Sequence, residues 1–241
     1  MELIPVKTRI MKPPKDDLYE ILDTALHDVR EGDVVLVTSK VIAIHEGRCV
    51  PVSDVAKETL IAEEAEFMFH PKENARPLTI IHHALISSAG IDESNGQGHH
   101  VLLPIDSYAS AQKIHAYLMH RFGLSQVGVV ITDSHSLPFR YGAMSISVGF
   151  WGFAPVESHA GREDLFGRIM KYSSTNMVDS LAAASALVCG ECDESQPITI
   201  ARNVPGIIFT NSDMREKLFV PYEEDIFRSL FTQFIKRVKK D

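Results

Sequence analysis

Apolar residues recur in two rhythms along the chain, one helical and one extended. After Pro13-Pro14 and the capping candidates Asp16 and Asp17, the positions Leu18, Ile21, Leu22, Ala25, Leu26 and Val29 follow a three- and four-residue spacing. That spacing predicts a helix to about Val29. The same rhythm predicts helices from Ser53 to about Phe69 and from Ser107 to about Phe122, where Gly123 stops it. An alanine-rich helix is expected from Thr175 or Asn176 to near Gly190, and a terminal one from Asp225 to Val238. Val34-Val35-Leu36-Val37 and Val127–Thr132 are short apolar runs rich in β-branched residues, the pattern of strands buried on both faces. Further strands are expected at Glu2–Ile10 (interrupted by Pro5), Thr79–Ser88, Val101–Pro104, Met144–Gly149, Ile198–Ala201 and Gly206–Phe209. Residues 150–168, rich in Gly, Pro and single charges, are expected to form a long ordered loop. The mixture predicts an α+β fold, mixed sheets with flanking helices, in one domain over residues 1–241 with room for two subdomains.

Composition changes this picture little. At 241 residues, 45% hydrophobic and 23% charged, the chain has the make-up of an ordinary soluble globular protein. Its net charge of −8 excludes general nucleic-acid binding, which needs a clustered basic face. Lys236, Arg237, Lys239 and Lys240 fall at the end of the last expected helix, where the helix dipole accounts for them. Met1–Arg9 lacks an apolar core of the secretory type, and no apolar run is long enough for a membrane span. Three cysteines cannot all pair, so a reduced, cytoplasmic protein is expected. Cys189 and Cys192 make a CxxC pattern, but Cys49 alone supplies no second pair for zinc.

The chemistry lies in three acidic turns, each at the end of an apolar element. They are Gly90-Ile91-Asp92-Glu93-Ser94-Asn95, Ile131-Thr132-Asp133-Ser134 and Gly190-Glu191-Cys192-Asp193-Glu194. Carboxylates so placed repel one another unless a cation or a proton lies between them. Asp92, Asp133 and Glu191 are therefore candidate ligands for magnesium or manganese, which prefer oxygen-only donors. Asp179 is a further candidate ligand or a helix cap. Thr38-Ser39-Lys40, at the end of a buried strand, offers a hydroxyl, an ammonium and backbone amides to a phosphate, and Arg140 offers a second positive charge. The pairs His82-His83 and His99-His100 would point to opposite faces of a strand, so they are assigned structural or supporting roles. Glu63, Glu64 and Glu66 are expected to form a solvated helix face. No glycine-rich Walker loop, GxGxxG fingerprint or GxSxG elbow is present.

Ser88-Ala89-Gly90-Ile91-Asp92-Glu93-Ser94-Asn95, followed by Leu102-Leu103-Pro104, resembles the signature of the coenzyme F420-0:L-glutamate ligase (gamma-glutamyl ligase) family. Four more segments agree in order: Gly32-Asp33-Val34 through Thr38-Ser39-Lys40 to Glu46-Gly47-Arg48; Ile131 through Pro138-Phe139-Arg140; Asp164-Leu165-Phe166-Gly167-Arg168; and Asp179 through Gly190-Glu191 to Pro197. The resemblance implies GTP-dependent formation of a γ-glutamyl amide through an acyl phosphate, with two Mg2+ or Mn2+ ions on the triphosphate. It implies Asp92, Asp133 and Glu191 as metal ligands and Asp133 and Arg140 as catalytic groups. Nucleotide contacts would come from Ser39, Lys40, Asn95, Ser134 and a loop of Ile4, Pro5, Val6 and Lys7, with Gly190 in a stretch, Leu187–Glu194, that closes over the nucleotide. It further implies the F420-0:gamma-glutamyl ligase-like fold as an intertwined homodimer acting on GTP, L-glutamate and a carboxylate acceptor. The chain departs from the pattern at Ile44, where the family has a second lysine, at Ser136-Leu137, where it has Gly-Arg, and at Cys192, where it has Gly. The unbroken run from Ser88 to Asn95 resembles a bacterial subgroup with a folate-like acceptor. Two alternatives stay open: the same chemistry on such an acceptor, and a non-catalytic nucleotide- and metal-binding member.

Overall fold

The computed structural model describes residues 1–69, 76–231 and 235–237. In chain order the first half runs β1 (Glu2–Val6), α1 (Leu18–Ala25), β2 (Val34–Thr38), α2 (Ser39–Glu46), β3 (Cys49–Pro51), α3 (Lys57–Glu64), β4 (Phe67–Phe69), β5 (Leu78–Ile81), β6 (Ala84–Ser87) and β7 (His99–Val101). The second half runs α4 (Ser107–Phe122), β8 (Gly128–Ser136), β9 (Ala143–Trp151), β10 (Val156–Ser158), β11 (Ser174–Asn176), α5 (Met177–Cys189), β12 (Ile198–Arg202), α6 (Arg228–Phe231) and β13 (Ile235–Arg237). The architecture is α+β.

A five-stranded sheet, in the order β1-β12-β2-β8-β9, forms the centre. β2 and β8 pair in parallel, and the other neighbours are antiparallel. Both apolar runs lie inside it, as their composition requires. Val35, Val37, Val129 and Ile131 face a core built with α1, α2 and α4, whereas Val34, Leu36 and Val130 face a second core with Val178 and Leu181 of α5, Phe150 and Phe153. Alternation along each strand thus supplies two hydrophobic layers from one sheet. Pro5 is tolerated in β1 because that strand is an edge. A four-stranded sheet, β13-β4-β5-β6, and two short ribbons, β3-β7 and β10-β11, complete the fold.

Several expected elements differ. The helix of residues 53–69 is confined to α3, and Phe67–Phe69 instead pair with β5. Glu64 and Glu66 are not a solvated face: Glu64 binds Arg48 at 2.5 Å, and Glu66 accepts the His82 amide at 3.0 Å. The single strand of 79–88 is a hairpin, β5 and β6, with His82 and His83 as its turn at φ 51° and 59°. Two consecutive left-handed residues reverse a strand, and the Ile- and Leu-rich flanks hide that signal. Leu102-Leu103-Pro104 lies beyond β7, and Phe209 makes only an isolated bridge to Phe153 in place of a 206–209 strand. Residues 150–168 include the end of β9 and all of β10. α4 begins at Ser107 as expected, and Asp106 caps it, its carboxylate accepting the Ala109 amide at 2.9 Å. Among the described residues of the helix expected at 225–238, Arg228–Phe231 are helical and Ile235–Arg237 form β13, and residues 232–234 and 238 lie outside the described residues.

Candidate active site

β1, β2 and β8 all run in one direction across the central sheet. Their C-terminal ends therefore emerge together, at the edge where β12 begins. Thr38 donates its amide to Pro197 at 3.0 Å and Thr8 donates to Ser195 at 2.9 Å, closing that edge around the 190–197 segment. Ser39 and Lys40 open α2 directly after β2, and the first turn of that helix has no side-chain cap. Its leading amides, with a hydroxyl and an ammonium beside them, suit an anion.

Asp133 follows Val129 and Ile131 on the same side of β8, which aims its carboxylate at the start of α2. Ser39 Oγ donates to Asp133 Oδ1 at 2.6 Å. Burial pushes the Asp133 carboxyl up to about 7, and the like charge of Asp92 adds to the rise against the opposing hydrogen bond from Ser39 and the charge of Lys40. The next residue of α2 makes the second link. Lys40 Nζ donates to Asp92 Oδ2 at 2.6 Å, to the Ser94 carbonyl at 2.8 Å and to Ser94 Oγ at 3.1 Å. Burial works upward on Asp92 too, but the hydrogen bonds from Lys40 and Ser94 and the Lys40 charge outweigh it and hold this carboxyl down at about 2. Two neighbouring carboxylates are thus driven apart, one ready to ionise fully and one retaining a proton until near neutrality.

The acidic turn around Asp92 is rigidly made. Asp92 exchanges both backbone hydrogen bonds with Val101, at 3.0 and 2.8 Å, and its Oδ1 accepts the amides of Glu93 and Ser94 at 2.7 and 3.0 Å. Gly90 sits at φ +70°, and a Cβ there would lie 2.7 Å from Leu103 Cγ, so the turn needs glycine on both counts. Asn95 Nδ2 donates to the Cys192 carbonyl at 2.9 Å, tying the turn to the loop after α5. That loop carries Gly190 and Glu191, both exposed, and Glu194 folds back onto the Cys192 amide at 2.9 Å.

The expected residues divide accordingly. Asp92, Asp133, Ser39 and Lys40 come together, and Asn95 is linked to the 190–194 loop. Ser134 follows Asp133 and is exposed. Ile4, Pro5 and Val6 are not a loop but the end of β1, and exposed Lys7 follows them at the shared edge. Arg140 lies in the exposed turn of the β8-β9 hairpin, beyond the last rung at Ser136, and makes no side-chain hydrogen bond to the carboxylates among the described residues. Asp179 is a brace in the first turn of α5, whose cap is Asn176: Asn176 accepts the Asp179 amide and donates back to its carboxylate at 2.6 Å, and the other carboxylate oxygen takes the Ser147 amide at 2.8 Å. Cys189 pairs with Thr199 at 2.9 Å, and among the described residues no three His, Cys, Asp or Glu side chains gather as a metal-binding group. Ser94 was missed as a site residue. It contacts both Asp92 and Lys40, and the Asp-x-Ser spacing of an Asx turn was the available signal. The donors that do converge, Asp92, Asp133 and the Ser39 hydroxyl, are all oxygen, which fits a hard divalent cation, and Lys40 supplies the positive charge between them here.

The model of the F420-0:Gamma-glutamyl ligase family matches residues 5–203. Among curated proteins, the coenzyme F420:L-glutamate ligase of Methanocaldococcus jannaschii is 31% identical over 95% of this chain and 97% of its own length. That of Methanothermobacter thermautotrophicus is 29% identical over 88% and 93%, and that of Natronomonas pharaonis 31% over 91% of each. Together with the match over most of the sequence, these likenesses show that the chain belongs to the F420-0:gamma-glutamyl ligase family.

Proposed function

We propose that the protein is a GTP- and divalent-metal-dependent γ-glutamyl ligase, joining the amino group of L-glutamate to an acceptor carboxylate of the coenzyme F420-0 type. The observation that carries the reading is the Ser39–Asp133 and Lys40–Asp92 network at one sheet edge, beside the uncapped start of α2. Asp92 and Asp133 would hold Mg2+ or Mn2+, two ions in all, with Glu191 as a further ligand. The metal would neutralise charge on the phosphates. Ser39, Lys40, Asn95, Ser134, Gly190 and residues 4–7 would position the nucleotide. The acceptor carboxylate attacks the γ-phosphorus and GDP leaves. The glutamate amine then attacks the acyl carbon, loses a proton and expels phosphate, forming the amide. Arg140 would supply a second positive charge to the transferred group.

Arg140 is carried on a hairpin whose Phe139 and Tyr141 are fully exposed, and the 159–173 segment exposes Leu165, Phe166 and Tyr172 in the same way. Apolar projections of this kind support a homodimer, for which light scattering should give the mass of two chains. Among the described residues no helix is long and apolar enough to cross a membrane. Ile44 is buried in α2 and offers nothing to a ligand, so the nucleotide must be held without a basic group there. A folate-like acceptor stays compatible with the same chemistry.

The expected assay result is phosphate release from GTP only when Mg2+ or Mn2+, L-glutamate and a carboxylate acceptor are all present. Release indifferent to glutamate and acceptor would count decisively against a ligase. A rise in Tm with Mn2+ and GTP but no product with F420-0 or a reduced folate would identify a binding protein without turnover.

A further inference from the structure

We infer that a cavity of about 820 Å3 beside the His82-His83 turn is a second binding site, built for a flat cation with paired N–H donors of the amidinium type. Its volume is that of a small-molecule site, and none of its lining residues belongs to the sheet-edge network.

Four carboxylates, from Glu66, Asp106, Asp213 and Glu216, face it against the single guanidinium of Arg215. Two of them are already engaged: Asp106 caps α4, and Asp213 holds Arg215 at 2.6 Å. Glu66 gives one oxygen to the His82 amide and, among the described residues, keeps the other, and Glu216 is exposed. These two remain to accept from a ligand, and a carboxylate matches two parallel N–H groups better than a spherical ammonium.

The remaining wall is aromatic. His83 stacks on Phe219 with centroids 3.9 Å apart and planes at 14°, and His83 itself is exposed. Tyr108 closes the wall, and the Arg215 guanidinium already lies 5.4 Å from its ring centre. The chain's own flat cation thus shows what this surface accepts: a planar delocalised charge over a ring, its N–H groups on carboxylates. Burial pushes the His82 imidazole down from its ordinary range against the pull of Glu66 and Asp106, which disfavours a protonated His82 as a rival for these carboxylates.

The test is calorimetric titration of the full chain with benzamidine, with benzamide as the neutral isostere and tetramethylammonium as a cation without N–H donors. Benzamidine should bind saturably, one per chain, at least about tenfold tighter than either control. Glu66→Gln combined with Glu216→Gln should weaken it about tenfold or more at unchanged Tm, and Glu216→Gln alone, at an exposed position, should weaken it measurably if the double variant does not fold. Equal affinity for benzamide or tetramethylammonium, undiminished affinity in the variants, or no saturable binding would each overturn the assignment. Neither GTP nor metal enters the measurement, so its failure and a failure of the ligase reading are separately visible.

Discussion

Asp133→Asn is expected to lower turnover about a hundredfold or more, as loss of an electrostatic stabiliser at a transferring group does, while the metal-free Tm holds or rises. The carboxylate is fixed by a strand in the buried sheet and by Ser39 at 2.6 Å, so asparagine keeps its shape and its acceptor while losing charge. The pH dependence separates this from a merely structural role. In the metal-free chain Asp133 keeps its proton to about pH 7, whereas an unfolded aspartic acid loses it near pH ~4. Between those values the folded state binds more protons, so stability from this group is full below about pH 4 and is lost as pH rises to about 7. The substituted amide cannot ionise, so that loss should vanish from the melting profile. Asp92 acts in the opposite window: its pairing with Lys40 stabilises above about pH 4 and is lost as pH falls toward 2. If Asp133→Asn instead unfolds the protein, Asp133 is an anchor of the fold and not a ligand.

The largest stability effect is expected far from the site, at Arg202. This residue ends β12 and meets Asp33, the residue before β2, with Nε at 3.0 Å and Nη2 at 2.7 Å, and Asp33 is 1% exposed. Arg202 also reaches Asp28 at 3.2 Å and its carbonyl at 2.8 Å. Arg202→Leu leaves the Asp33 carboxylate buried without its cation, held among the described residues by the Arg30 amide at 2.8 Å. Stranding one partner of a buried pair costs about 3–5 kcal/mol. In a chain of this size that corresponds to a fall in Tm of roughly 6–20 °C. Adding Asp33→Asn should restore much of the loss, because no buried charge then remains unpaired. A single-variant loss below about 1 kcal/mol in denaturant would show that water reaches Asp33 and that the pair contributes little.

The sequence made the central sheet and the acidic strand end legible for one physical reason. Runs such as Val34–Val37 and Val127–Thr132 have no stable place except a strand covered on both sides, so Ser39 and Asp133 had to emerge at an edge. It did not reveal that β1, β2 and β8 share a direction, since parallel pairing between distant segments leaves no local mark. The His82-His83 turn was hidden because left-handed histidines are uncommon and the flanks look like one strand. Phe67–Phe69 looked helical by spacing, and pairing with β5 overrode that preference. Lys40 was seen as a phosphate ligand, but its partner Asp92 lies 52 residues away and only the fold brings them together.

The most direct test of the ligase claim is to label both carboxylate oxygens of the acceptor with 18O and follow them through turnover with GTP, L-glutamate and Mn2+. Transfer of the γ-phosphoryl group to that carboxylate, followed by capture by the amine, predicts one labelled oxygen in the released phosphate. It also predicts a product heavier by one glutamyl unit that keeps the other label. Phosphate without label, or no glutamylated product while GTP is consumed, would contradict it.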